Sequence, residues 1–151
     1  MRLLDSNVFI TAKNTYYGLD LVPAFWSWLD PQVAAGEIAS TDLVYDELKN
    51  GSDELAEWVK LRRRQMFYFE SSSAAVAGYV ATLGTWAQAE RYKEHVIADF
   101  MDCADPFIVG VAAEHGFTVV TQEIPAGARR KKVKSQMHAH TWELPAKIHL
   151  R

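Results

Sequence analysis

One cysteine in 151 residues leaves Cys103 without a partner in its own chain, which excludes an intrachain disulfide. A reducing cytoplasm is the expected setting. No long hydrophobic run is present either. The least polar stretch, Ala74 to Ala89, carries Gly78, Thr82, Gly84 and Thr85. It is shorter and more polar than the roughly 20 apolar residues that a membrane helix needs. Asp5 interrupts the first apolar residues almost at once, which argues against a secretory signal. No repeat, low-complexity tract or linker divides the chain, so a single domain over 1–151 is expected. There is no overall excess of positive charge: the net charge is −3 and the pI about 5.9.

What is present is a chain 49% hydrophobic, enough for a proper core, and an uneven distribution of charge. Arg129, Arg130, Lys131, Lys132 and Lys134 crowd one short tract, and removing those five would take the net charge from −3 to −8. Arg62, Arg63 and Arg64 form a second basic run. Basic patches beside an acidic site suit a polyanion held near metal ions. The alternative for the long tract is a solvated loop.

The apolar pattern predicts strands alternating with helices. Arg2–Leu4 reads as a short buried strand. Val22, Phe25, Trp26 and Leu29 recur at helical spacing, which Asp30-Pro31 is expected to break. Glu37–Ser40 is a second strand, after which Ser40 or Thr41 caps a helix with Asp42 in its first turn and Val44 and Leu48 on one face. Leu55, Trp58 and Val59 mark another helix. Met66–Phe69 fits a strand or a buried turn. Ser72–Gln88 and Tyr92–Met101 read as helices. Asp105-Pro106 reads as an N-cap followed by proline at the first helical position, with Gly116 ending that helix. Thr118–Thr121 is the clearest strand. Such alternation implies an α/β fold, a three-layer sandwich whose mostly parallel central sheet is flanked by helices.

Four acids fall at the junctions of these elements: Asp5, Glu47, Asp105 and Glu123. A carboxylate ending the first strand stands where open α/β sheets place their ligands. Carboxylates brought together repel unless cations or protons balance them. Magnesium and manganese prefer oxygen ligands, so Mg2+ or Mn2+ is the expected cofactor. Such ions can activate water and neutralise phosphoryl charge in phosphodiester hydrolysis. Each acid also has a plainer reading alone: Asp5 and Asp105 as helix caps, Glu47 on a helix surface, Glu123 in a solvated loop. Asp46 and Asp102 read as solvated acids.

The motifs LLDSNVFI, STDLVYDEL, ADPFIVGVAAEHG and FTVVTQE occur in that order. Together they resemble the PIN domain, a nuclease fold found in many RNA-cleaving proteins. That family has an Asp ending the first strand with a small polar residue behind it, and a Glu before Leu on a helix. An Asp then opens a later helix, and Thr-x-acid follows the next strand. Asp5, Glu47, Asp105 and Glu123 match those acids, with Asn7 and Thr121 on the accessory positions. The segment AKNTYYGLDLVPAFWSWL is similar to a PIN-like branch of toxin candidates.

The resemblance implies a metal-dependent endoribonuclease that leaves a 5′-phosphate and a 3′-hydroxyl. As the toxin of a toxin–antitoxin pair it would have an antitoxin partner. Asp5, Glu47 and Asp105 would be the principal ligands, and Glu123 would complete the shell or orient water. Asn7 or Thr121 would hydrogen-bond a ligand carboxylate or a water on the metal. Two departures stand out. Glu123 is one methylene longer than the usual Asp, and the segment after Lys134 matches the family ending poorly, so no function is carried onto it.

The alternative to an enzyme is a non-catalytic PIN-like module that binds RNA or acts as a scaffold. A haloacid-dehalogenase type phosphatase would need an acid where Asn7 stands. His138 and His140 alternate as metal ligands on one strand face would, but no third nitrogen or sulfur ligand is placed near them. Tyr16, Tyr17 and Trp28 fit base stacking, a homodimer surface or simple core packing.

Overall fold

A computed structural model describes residues 1–89 and 94–122. Three short strands form a parallel sheet: β1 (Arg2–Leu4), β2 (Ile38–Ala39) and β3 (Thr118–Val120), in the order β2-β1-β3. Register pairs Arg2 with Ile38 on one side and with Thr118 on the other. Seven helices are described around it: α1 (Ser6–Thr15), α2 (Pro23–Ala34), α3 (Asp42–Lys49), α4 (Glu54–Lys60), α5 (Ala74–Ala89), α6 (Glu94–Met101) and α7 (Asp105–His115). The α/β class with a parallel sheet is therefore as the alternation predicts. Among the described residues no helix is long and apolar enough to cross a membrane.

Buried apolar side chains make one contiguous core, with Leu3, Phe9, Val44, Val59, Phe67, Val76, Ile108 and Val111 almost fully buried. The Phe9 ring lies 5.7 Å from Phe67 and 6.2 Å from Trp58, linking α1 to α4 and to the segment after it. Helices α5 and α7 pack closely at Gly110, where a Cβ would stand 3.0 Å from Val76 Cγ1 and 3.3 Å from the Val76 carbonyl oxygen. Gly116 ends α7 at φ 68°, a left-handed conformation that glycine adopts without a Cβ clash.

Two local expectations resolve differently, and the open reading of Met66–Phe69 is decided. Helix α2 runs through Asp30-Pro31 to Ala34. Proline removes a single backbone donor there, while Trp26 and Leu29 remain buried and the Ala35 N–H closes onto the Pro31 carbonyl at 3.0 Å. Asp30 is fixed outside by a two-pronged pair with Arg62, at 2.7 and 2.9 Å. Met66–Phe69 is a backbone edge rather than a full strand: the Ser40 N–H donates to Met66, the Asp42 N–H donates to Phe69, and Thr41 and Phe69 form an isolated parallel bridge. At α7, Ala104 is the N-cap and Asp105 the first helical residue. Its carboxylate therefore lies in the first turn, at the positive end of the helix dipole, and does not cap the helix from outside.

Candidate metal centre

The sheet dictates where the first acid goes. Leu4 is the last residue of the central strand, and the Asp5 N–H still donates to the Val120 carbonyl at 3.0 Å. The chain then turns directly into α1, whose N-cap is Asp5; its Oδ1 accepts the Ser6 N–H at 2.7 Å. Thr121 leaves β3 on the adjacent strand at the same level, and its hydroxyl donates to Asp5 Oδ2 at 3.0 Å. That hydroxyl accepts from Asn7 Nδ2 at 3.0 Å, and Asn7 Oδ1 takes the Gln122 N–H at 2.9 Å. Of the two residues expected as accessory, Thr121 thus holds Asp5 directly across the β1–β3 seam, and Asn7 holds Thr121 and the backbone after it.

Asp5 is only 5% exposed. Burial, then the charge of Asp105 and more weakly that of Glu47, push its carboxyl above the ordinary range. The Ser6 N–H and the Thr121 hydroxyl act in the opposite direction and do not cancel the effect. Three of the four expected acids are thereby in one electrostatic neighbourhood. Asp105 arrives from the start of α7 and Glu47 from the exposed edge of α3.

These residues surround a cleft of about 680 Å³, lined by Ser6, Asn7, Glu47 and Asp105 among others. Asp102 lines it too: read from sequence as a solvated acid, it is exposed and also belongs to the cleft wall. Asp46 pairs with Lys49 at 2.6 Å and is not part of the wall. Among the described residues, no three His, Cys, Asp or Glu side chains stand close enough together to ligate one ion directly. The donor set is nonetheless all oxygen and rich in charge, and magnesium characteristically keeps several waters while touching one or two carboxylates. The residues present fit such an ion, because a cation would offset the charge that burial and Asp105 penalise at Asp5.

Glu123 lies outside the described residues, as do Arg129, Arg130, Lys131, Lys132, Lys134, His138 and His140. Tyr16, Tyr17 and Trp28 are exposed and none lines the cleft; Tyr17 stacks on Phe25 at 4.3 Å. Of the second basic run, Arg62 pairs with Asp30 and lies 4.2 Å over the Trp58 ring, and Arg63 lies over Tyr45 and donates to the Phe67 carbonyl.

Sequence reasoning missed part of the cleft. Asp42, noted only as a first-turn acid, lines it together with Ser71 and Ser72. Helical spacing gave no hint, since residues five apart, such as Asp42 and Glu47, point about 140° apart on a helix. The signal is tertiary: Asp42 holds the segment after Phe69 against the start of α3.

No curated protein and no solved structure matches the chain at significance. One family model does match, that of the domain of unknown function DUF4411, over residues 3–145. Its span takes in all four junction acids, both accessory residues and the basic tract, and the chain belongs to that family.

Proposed function

We propose that the protein is a divalent-metal-dependent endoribonuclease with a PIN-like three-layer arrangement, acting as the toxin of a toxin–antitoxin pair. The observation that carries this reading is Asp5. Its carboxylate is buried at the carboxyl end of the central parallel strand, clamped by Thr121, and disfavoured by the facing charges of Asp105 and Glu47. A protein gains nothing in stability from such a cluster, so the acids are best explained by a cation that they hold.

Asp5, Glu47 and Asp105 would hold Mg2+ or Mn2+, and by the family resemblance Glu123 would complete the shell or orient water. When bound, the ion would supply an activated water and neutralise charge on the phosphoryl oxygens. The chain's own contribution is positional. The Ser6 N–H and the Thr121 hydroxyl fix the rotamer of Asp5, Asn7 positions Thr121, and the N-terminus of α7 fixes Asp105. The cleft beside them admits the scissile strand, and Arg129, Arg130, Lys131, Lys132 and Lys134 are proposed to steer RNA phosphates toward it.

Purified, nuclease-free protein incubated with a panel of defined RNAs tests the reading. Cleavage is expected with magnesium or manganese and not in EDTA. Equal cleavage in EDTA would refute the metal mechanism. Folded protein that binds RNA but cleaves none would point to a non-catalytic module.

A further inference from the structure

The cleft is larger than an ion and its waters require. About 680 Å³ lies within the roughly 300–1,000 Å³ of small-molecule sites. Besides the acids, the apolar side chains of Ile10, Leu43 and Phe107 line it. The lining also includes a carboxylate that the proposed chemistry does not use, that of Asp42 at the start of α3. Asp42 Oδ1 accepts the Leu43 N–H at 2.8 Å, the Ser71 N–H at 3.0 Å and the Ser71 hydroxyl at 2.6 Å. All three bonds converge on Oδ1, and Oδ2 takes part in none of them.

An acceptor held this firmly, on the wall of a partly apolar cleft with an aromatic ring, has the makings of a base-reading site. Unstacked RNA bases are recognised by contact with apolar and aromatic side chains and by hydrogen bonds to their edges. Aspartate accepts from an exocyclic amine, as in contacts to cytosine N4. Uracil has no such amine and presents carbonyl oxygens on either side of its N3–H, which a carboxylate repels. We propose that the cleft seats one unstacked base of the RNA and that Asp42 selects adenine, cytosine or guanine over uracil. This inference rests on the ribonuclease reading and adds to it the specificity of the same cleft.

Asp42→Asn tests it with little disturbance of the fold. The Asn Oδ1 still accepts all three bonds that anchor Ser71 and Leu43, while Oδ2 is replaced by an amide donor suited to uracil O4. Binding of fluorescein-labelled rC8 and rU8 to the full chain is measured by anisotropy in calcium, which takes oxygen ligands as magnesium does. The natural protein should favour rC8 by about tenfold, the discrimination of one good base contact. Asp42→Asn should abolish or invert that preference with an unchanged melting temperature. Equal binding of rC8 and rU8, or a preference that survives in Asp42→Asn, would overturn the inference while leaving metal-dependent cleavage standing. Failure to bind either oligonucleotide, together with no cleavage of any RNA, would overturn the ribonuclease reading and this inference with it.

Discussion

Replacing Asp5 by Asn should raise the melting temperature in EDTA and abolish the protein's response to magnesium or manganese. The change preserves side-chain volume, and Asn caps a helix about as well as Asp. Its Oδ1 can still accept the Ser6 N–H, a contact of 2.7 Å. The Thr121 hydroxyl, 3.0 Å from Oδ2, can rotate to accept from the new amide and give its own proton to Asn7 Oδ1, 3.2 Å away. Two effects then oppose each other. The hydrogen bonds that Ser6 and Thr121 give Asp5 lose their charge assistance, but a negative charge that is 5% exposed and repelled by Asp105 and Glu47 disappears.

The sign follows from the raised carboxyl. A group whose charged form is disfavoured on folding destabilises the native state at neutral pH, and its neutral isostere removes that penalty. Relief of one such charge is worth about 0.5–2 kcal/mol. At this chain length that corresponds to roughly 1–8 °C, taking about 2–4 °C per kcal/mol. An ion at a hundred times its dissociation constant should add about 2.7 kcal/mol to the natural protein and nothing to the variant. Scanning calorimetry of both proteins, in EDTA and in magnesium or manganese, reads the two effects separately. A lower melting temperature for Asp5→Asn in EDTA, or the same metal-induced gain in both proteins, would refute the reasoning.

Thr121→Val removes the hydroxyl that serves Asp5 Oδ2 and Asn7 Nδ2 at a site 5% exposed. It should cost about 1.5–3 kcal/mol in denaturant unfolding and lower RNA cleavage, as expected for loss of a buried hydrogen bond to a charged group. Gly110→Leu places a Cβ 3.0 Å from Val76 Cγ1 and drives α5 from α7. The expected loss is about 1–3 kcal/mol, and an unchanged urea midpoint would refute the close packing. Asp53 caps α4 and pairs with Lys13 at 2.5 Å, and the Lys13 and Ala56 bonds hold its carboxyl below the ordinary range. Its ionic contribution is therefore fully present above the unfolded carboxylate pKa of about 3.9 and is lost as pH falls through the lower native value. The melting deficit of Asp53→Asn should accordingly shrink from pH 7 to pH 3; a constant deficit would assign it to the cap alone. Neutralising Arg129, Arg130, Lys131, Lys132 and Lys134 should flatten the salt dependence of RNA binding by about 0.7 log unit per lost phosphate contact. An unchanged slope would make the tract a solvated loop.

Local patterns carried much of the fold. Thr118–Val120 is apolar and β-branched and forms a strand; Val76, Val80 and Leu83 repeat at helical spacing and line the buried face of α5. The loosest readings fell where neighbours decide. Pro31 was expected to end α2, yet one lost donor is outweighed by Trp26 and Leu29 buried before it and Val33 packed against the core after it. Met66–Phe69 has no preference strong enough to choose strand or turn, and its form follows from the donors that Ser40 and Asp42 present to it.

For the site, the sequence by itself determined that Asp5 follows the first strand with Asn7 just behind it, that Asp105 opens a helix and that Thr121 follows the last strand described. A strand running out just before Asp5, a helix opening on Asp105 and a β-branched strand running out just before Thr121 are local facts, written in apolar spacing and in small polar residues. Only the tertiary structure decided that Thr121, 116 residues away in sequence, bonds to Asp5, and that Asp42 rather than Asp46 faces the cleft. The physical reason is the parallel sheet. Pairing β1 with β3 brings Asp5 and Thr121 level at their carboxyl ends, and the turn after Phe69 supplies the donors that lock Asp42. No periodicity within either segment encodes a contact whose two halves lie on different elements.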